Sequence, residues 1–280
     1  MFTANERGVI PQKIFFYAVL IIIGLLFIYP FIFMLATSFK DSPEVFANIM
    51  SIFGGTGLHF ENYSTVLGTV SMGRYMLNTA FVTLSVTIGQ IITSILGGYA
   101  FGRIRFPGRE LLFRLYLGTI MIPFTVIMIP MYKLMLAFGW VDKLQALIIP
   151  WLFTAAGTFL FRQFFMGLPK ELEEAAFLDG ANRWTILWRV FVPLAGPVIA
   201  TQFTISFLYS WNSFIWPLVA IQSKANYVVT QGLADIQGGY HASPPIVLAG
   251  ATLAIIPTVL VFLFAQKYFV EGIATTGMKN

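Results

Sequence analysis

The 280-residue chain has no cysteine, which excludes disulfides and thiolate metal sites. Histidine is nearly missing as well. His59 and His241 stand alone in loop-like sequence, so there is no His-Glu-x-x-His pair and no Ser/His pair on which hydrolytic chemistry could be built. Charged residues make up 10% of the chain, too few to coat a soluble globule of this length. No glycine-rich loop leads into Lys-Ser/Thr, so the chain carries no nucleotide-hydrolysing motif. The cluster Gly54-Gly55-Thr56-Gly57 lacks both that lysine and a following helix start, and reads as a turn. Repeats, low-complexity tracts and basic runs interleaved with aromatics are absent too, so nothing points to nucleic acid.

What remains is apolar: 58% of the residues are hydrophobic and 16% aromatic. A chain of that kind dissolves in lipid, where only helices or closed barrels satisfy the backbone. Stretches near the roughly 20 residues that cross a bilayer run over Ile14 to Phe39, Thr79 to Phe101, Leu111 to Phe138, Leu147 to Phe165, Leu194 to Ile221 and Ile246 to Val270. The expected fold is therefore all-α and polytopic, with six transmembrane helices. Residues 1–13 form an N-terminal segment, 14–270 one membrane domain containing a loop at 167–193, and 271–280 a tail. Arg7 and Lys13 before the first run resemble a signal-peptide n-region, but the run is too long and lacks a small-x-small cleavage site, so a retained helix is expected.

Basic residues set the orientation, because short loops rich in them stay cytoplasmic. With both termini inside, Lys40, Arg74, Lys133, Lys143 and Lys224 lie outside and the remaining twelve of the 17 Lys and Arg lie inside. The net charge of +5 is thus an insertion signal. Asn62-Tyr63-Ser64 matches a glycosylation tripeptide that arises readily by chance and carries no weight.

Two spans carry local patterns. Ser85, Gly89, Thr93 and Gly97 recur every four residues, stacking small side chains on one helical face that another helix can approach closely. Pro123 and Pro130 each remove a backbone hydrogen bond from the third span; a bend in a gating helix and simple curvature are equally good readings.

One acid-rich stretch interrupts the apolar sequence, Pro169-Lys170-Glu171-Leu172-Glu173-Glu174-Ala175-Ala176-Phe177-Leu178-Asp179-Gly180-Ala181. It must face water or a partner. Pro169 suits a first helical turn, and Glu171, Glu173 and Glu174 favour the positive end of the helix dipole. Gly180 can end the helix in the left-handed conformation. Asn182 can cap a second helix, in which Trp184, Leu187, Trp188 and Phe191 are spaced for one apolar face. The first helix is too short to stand alone, and Ala175-Ala176 leaves room for another protein to approach. On these grounds an interfacial hairpin and a docking helix both remain open.

The spacing Glu174-Ala175-Ala176, three residues, Gly180, nine residues, then Val190-Phe191-Val192-Pro193 resembles the EAA loop of ABC importer permeases, with valines where the common pattern has Ile and Leu. Met121-Ile122-Pro123, Ile129-Pro130-Met131-Tyr132, Phe161-Arg162-Gln163-Phe164-Phe165, Trp211-Asn212, Trp216-Pro217-Leu218 and Gln266-Lys267-Tyr268-Phe269-Val270 extend the likeness over essentially the whole chain. They are similar to the carbohydrate permeases of the maltose and glycerol-phosphate group, in particular their smaller subunit. The resemblance implies a type I importer fold, a second permease subunit, two ATPase subunits that bind the ATP and magnesium, and an external solute-binding protein. It implies that Glu171, Glu174, Ala175, Ala176, Asp179, Gly180 and Ala181 form a coupling helix seated in an ATPase groove. The tail from Glu271 to Asn280 resembles a further ATPase contact, and Gly238-Gly239 matches in position a loop that probes the binding protein. The implied cargo is a sugar, oligosaccharide or related polyol.

Within the fifth span, Trp211 and Asn212 allow two readings, interface anchoring or a place on the solute path, since a polar group in a span turns toward the bundle interior. Gln202 and Tyr209 are further path candidates on the same span. An ion- or proton-coupled secondary transporter is the alternative function, but such proteins place ionisable groups in their spans, and these spans are almost free of acids.

Overall fold

The computed structural model describes residues 4–42, 45, 57–239 and 243–277, with side chains described from 13 to 266. The Gly54-Gly55-Thr56 turn and His241 lie outside the described residues. Among those described there is no strand. The chain divides into Met1–Met72 with Leu233–Leu253, and Gly73–Gly232 with Ala254–Asn280.

In the first unit, helix α1 (Ala4–Ser38) exposes most of its apolar side chains between Ile14 and Leu35, as lipid contact requires. Its end is held by α2 (Glu61–Gly68): the Asn62 amide donates to the carbonyls of Ser38 and Lys40 at 2.9 Å, and the Tyr63 and Ser38 hydroxyls lie 2.6 Å apart. The asparagine of the glycosylation tripeptide is therefore a cap.

The second unit holds most of the remaining membrane helices. Helix α3 (Met72–Arg103) crosses unbroken. The third span is not a single rod. It consists of α4 (Arg109–Gly118) with a short 3-10 turn, and α5 (Phe124–Ala137), turned 98° from one another at an extended Pro123. Pro123 therefore makes a sharp break, while Pro130 sits inside α5 without ending it. The fourth span, Gln145–Gly167, is interrupted as well: α6 (Gln145–Ile148) gives way to a 3-10 turn, and Thr154 caps α7 (Ala155–Gly167).

The small face of α3 meets this interruption. A Cβ added at Gly89 would overlap the Leu152 side chain, and one at Gly97 would strike Thr158 at 2.9 Å, so the four-residue pattern does serve close helix approach. Gln90 Nε2 donates to the Trp151 carbonyl at 2.8 Å and Thr93 Oγ1 to the Leu152 carbonyl at 2.7 Å, satisfying the backbone groups that the interruption frees.

After the acidic helix α8 (Glu171–Leu178) come α9 (Arg183–Ile186), a π-helical stretch over Leu187–Phe191 and one turn at Val192–Leu194. Helix α10 (Gly196–Trp211) then leaves at 79°. The expected fifth span to Ile221 ends early: α10 stops at Trp211 and a separate α11 (Ile215–Ala220) follows. Helix α12 (Val229–Gly238) precedes α13 (Pro244–Gly277), which continues past Val270 into the expected tail.

Candidate functional site

Helix α8 begins at Glu171, two residues later than expected from Pro169. Lys170 is its N-terminal flank and offers no side-chain cap, so Pro169 lies just outside the first turn. What steadies this end is the acidic trio Glu171, Glu173 and Glu174 against the helix dipole. The other end closes in a Schellman arrangement: Gly180 has φ +80°, its N–H donates to Phe177 O at 3.0 Å, and Ala181 N–H donates to Ala176 O at 3.0 Å. Asn182 then caps α9, accepting from Thr185 N–H at 2.8 Å. The helix, turn, helix unit is built as the sequence predicts.

The Ala175-Ala176 pair does not act as a unit. Ala176 and Ala181 pack inward on a core of Tyr99, Phe161, Phe165, Ile186, Leu187 and Phe191, whereas Ala175 faces out. Glu171, Glu174, Ala175 and Leu178 share the outer face at helical spacing, and all four are exposed, Leu178 at 89%. Asp179 is exposed at the C-terminal flank, its N–H donating to Ala175 O at 3.1 Å.

The expected apolar face of the second helix is corrected. Leu187 and Phe191 are buried, but Ile186 joins them and Trp184 is 62% exposed, edge-on to Trp188. The cause is the π-helical stretch, where Val192 N–H reaches Leu187 O, one residue further than in an α-helix, and so rotates the faces.

Sequence reasoning missed the group that anchors this unit. Arg103, at the end of α3, donates through Nε to Phe165 O at 2.8 Å and through Nη2 to Leu168 O. Its Nη1 lies 3.7 Å from Glu173 Oε2, and its guanidinium sits 5.1 Å from the Phe191 ring centre. Arg162 is equally structural: Nη2 lies 2.8 Å from both Glu110 carboxylate oxygens, Nε bonds Phe101 O at 3.1 Å, and the guanidinium lies 4.1 Å over Phe113. A basic residue near a span end reads as an insertion signal, and nothing in sequence spacing reveals a partner some seventy residues away. Beside α8 a pocket of about 400 Å³ is walled by Arg103, Arg105, Arg109, Lys170, Glu173 and Glu174.

The path candidates separate into two kinds. Gln202 is buried and donates to Ser206 at 2.7 Å; Ser206 in turn donates to Gln90 at 2.6 Å, which bonds the interruption in the fourth span. Trp211 is buried too, its Nε1 donating to Ala254 O at 3.0 Å, one turn before Pro257. Tyr209 is exposed, with its ring 5.9 Å from Trp151 beside a cleft of about 20 Å³, room for one water. Asn212 is not inside a span. It is the exposed residue after the last turn of α10, bonded to Leu208 O at 2.8 Å.

Long apolar helices, two of them broken and resealed in part by buried side chains, together with a short acidic helix, define a polytopic helical membrane protein. The chain belongs to the binding-protein-dependent transport system inner membrane component family, whose model matches residues 91–275. It is 33% identical over 260 residues to the arabinooligosaccharides transport system permease protein AraQ of Halalkalibacterium halodurans, covering 92% of this chain and 93% of that one. It is 34% identical over 267 residues to the sn-glycerol-3-phosphate transport system permease protein UgpE of Rhizobium meliloti, covering 92% and 94%. Among solved structures it matches a bacterial ABC transporter involved in the import of the acidic polysaccharide alginate, with TM-score 0.82, 25% identity and coverage of 96% and 99%. The chain is thus a multi-pass membrane permease of an ABC importer, and the ion-coupled alternative is not favoured.

Proposed function

We propose that this permease forms half of a translocation path for a sugar, oligosaccharide or related polyol, paired with a second permease subunit. Two ATPase subunits drive it and an extracellular or periplasmic binding protein delivers the solute. The chain itself binds no ATP or magnesium and catalyses no reaction; hydrolysis belongs to the ATPase. Both termini face the cytoplasm. Helix α8 docks in an ATPase groove through Glu171, Glu174, Ala175 and Leu178, with Gly180 and Asp179 closing the turn. The observation that carries this reading is the outer face of α8, where an almost fully exposed leucine stands beside two carboxylates on a helix whose opposite face is fixed to the bundle. On the path, Tyr209 and Asn212 are the open side chains, and Gln202 and Trp211 shape the wall behind them. The Glu271 to Asn280 tail is a second ATPase contact, and the Gly238-Gly239 loop meets the binding protein.

The cargo carried by relatives supports a carbohydrate: arabino-oligosaccharides, glycerol phosphate, and lactose in the permease LacG of Rhizobium radiobacter. The test is purification of the chain with its neighbours and reconstitution with binding protein. ATP-dependent uptake of a labelled oligosaccharide or polyol by a complex of two permeases and two ATPases is the expected result. A stable, transport-competent complex of this chain alone would sink the proposal.

A further inference from the structure

Arg103 is one side chain shared by four elements. It ends α3, bonds the last carbonyls of α7 through Phe165 and Leu168, pairs with Glu173 in the first turn of α8, and lies against Phe191 in the π-helical lead into α10. Its side chain is 6% exposed and that of Glu173 15%, so the pair is screened far less than a surface ion pair. The joint is also held at fixed reach. A Cβ at Gly98 would meet Phe161 Cβ at 2.5 Å and Arg162 N at 2.8 Å, so the backbones of α3 and α7 touch little more than one turn before Arg103. The planar fork bonds two carbonyls and still turns its third nitrogen toward the carboxylate, a task for which lysine is no substitute.

We propose that Arg103 is a positioning residue for transport: its pair with Glu173 ties the docking helix to the spans, so that movement of α8 is carried into α3, α7 and α10. This rests on α8 being the ATPase dock. Ala176 and Ala181 also hold α8 to the bundle by packing, but such contacts can slide, whereas the poorly screened ion pair adds an attraction that resists separation of Glu173 from the end of α3. Glu173 thereby differs from Glu171 and Glu174, which share the exposed face.

The test uses the complete complex in vesicles with its binding protein, comparing Glu173→Gln, Arg103→Gln, Arg103→Lys and the Glu173→Gln/Arg103→Gln double variant. ATPase co-purification, thermal unfolding and solute transported per ATP hydrolysed are measured for each. Glu173→Gln leaves both carbonyl bonds of Arg103 in place, so it decides the matter even if Arg103→Gln fails to fold. The expected result is retained co-purification with a fall in transport per ATP of about fivefold or more, the low end of coupling between sites. The double variant should be no worse than the poorer single one, because the pair that Glu173→Gln removes is already lost in Arg103→Gln. Arg103→Lys, which keeps a charge for Glu173 but cannot fork to two carbonyls, should fall between wild type and Arg103→Gln. Wild-type transport per ATP in Glu173→Gln, or additive losses in the double variant, would overturn the proposal. Failure of the wild-type chain to bring down an ATPase would instead refute the docking reading, so the two failures are distinguishable.

Discussion

Trp216 donates its indole N–H to the carbonyl of Ala146 at 2.9 Å, the acceptor left without a helical partner because Pro150, four residues on, has no N–H. Trp216 is 2% exposed and belongs to a core with Val82, Leu147 and Ile221. A proline that interrupts a membrane helix is thereby resealed by an aromatic from a later element. Trp216→Phe keeps most of the ring and strips the donor, leaving a buried carbonyl unpaired at a cost of about 1–3 kcal/mol. Thermal unfolding in detergent should fall accordingly. Adding Pro150→Ala restores an N–H to Ala146 and should recover part of the loss; no recovery would mean that Trp216 acts by packing alone.

Gly180 stands at φ +80° with nothing within 4 Å of a Cβ placed there, so a substitution meets backbone strain and no clash within the chain. Gly180→Ala should cost about 1–2 kcal/mol, the left-handed penalty of an L-residue, and Gly180→Asn less. The two neighbouring alanines should behave oppositely. Ala176→Leu overpacks a filled core and should destabilise by about 1–3 kcal/mol. Ala175→Leu, on the exposed face, should leave unfolding unchanged and act only when the ATPase is present.

Legibility followed the range of the interaction. The six apolar stretches, the Gly180 end of α8 and the Asn182 cap depend on neighbours within a few residues, and each could be read from spacing alone. The 98° turn at Pro123 was half legible: a proline marks a site of freedom, but the partners that take up the freed carbonyls decide the angle. The roles of Arg103, Arg162 and Trp216 were illegible, since each acts on a carbonyl or carboxylate that folding brings from more than fifty residues away. The burial of Trp211 and the exposure of Asn212 were likewise settled by where α10 stops, which the apolar run did not mark.

Asp142 should confer a pH dependence on the loops that follow α5 and α11. Its carboxylate accepts from the Ser223 hydroxyl, from Ser223 N–H at 2.8 Å and from Gln222 N–H at 3.0 Å. The Ser223 bonds, chiefly, hold its pKa below the ordinary 3.8, against a smaller opposing effect of desolvation. A depressed carboxylate stabilises the folded form fully above its unfolded pKa and loses that contribution as pH falls through the folded value. Protection of the Gln222 and Ser223 amides from hydrogen exchange should therefore be flat at neutral pH and drop only below about pH 4. Asp142→Asn, which also tolerates the φ of +61° found there, should abolish that acid step. An unchanged step in the variant would assign it to another group.

The docking face gives the most direct test of the functional reading. Leu178, 89% exposed, and Glu174, exposed beside it, make no contact that the fold requires, since α8 is held by Ala176, Ala181 and Glu173 on its other side. Changes at these two positions should therefore leave membrane insertion and thermal unfolding within about 0.5 kcal/mol of wild type. In a groove of a partner they would matter. An exposed leucine buried on association contributes about 1.5–3 kcal/mol, and removing a charge whose partner is then left unpaired costs about 2–5 kcal/mol. Leu178→Asp and Glu174→Ala should each weaken ATPase co-purification by tenfold or more, at roughly 1.4 kcal/mol per decade. Because the chain has no cysteine, Leu178→Cys also reports the side of the membrane, and should be labelled only from the cytoplasm. Normal ATPase recruitment and transport in the Glu174→Ala/Leu178→Asp double variant would return α8 to a connector between spans, whereas loss of recruitment with unfolding unchanged leaves a docking helix as the reading that fits both measurements.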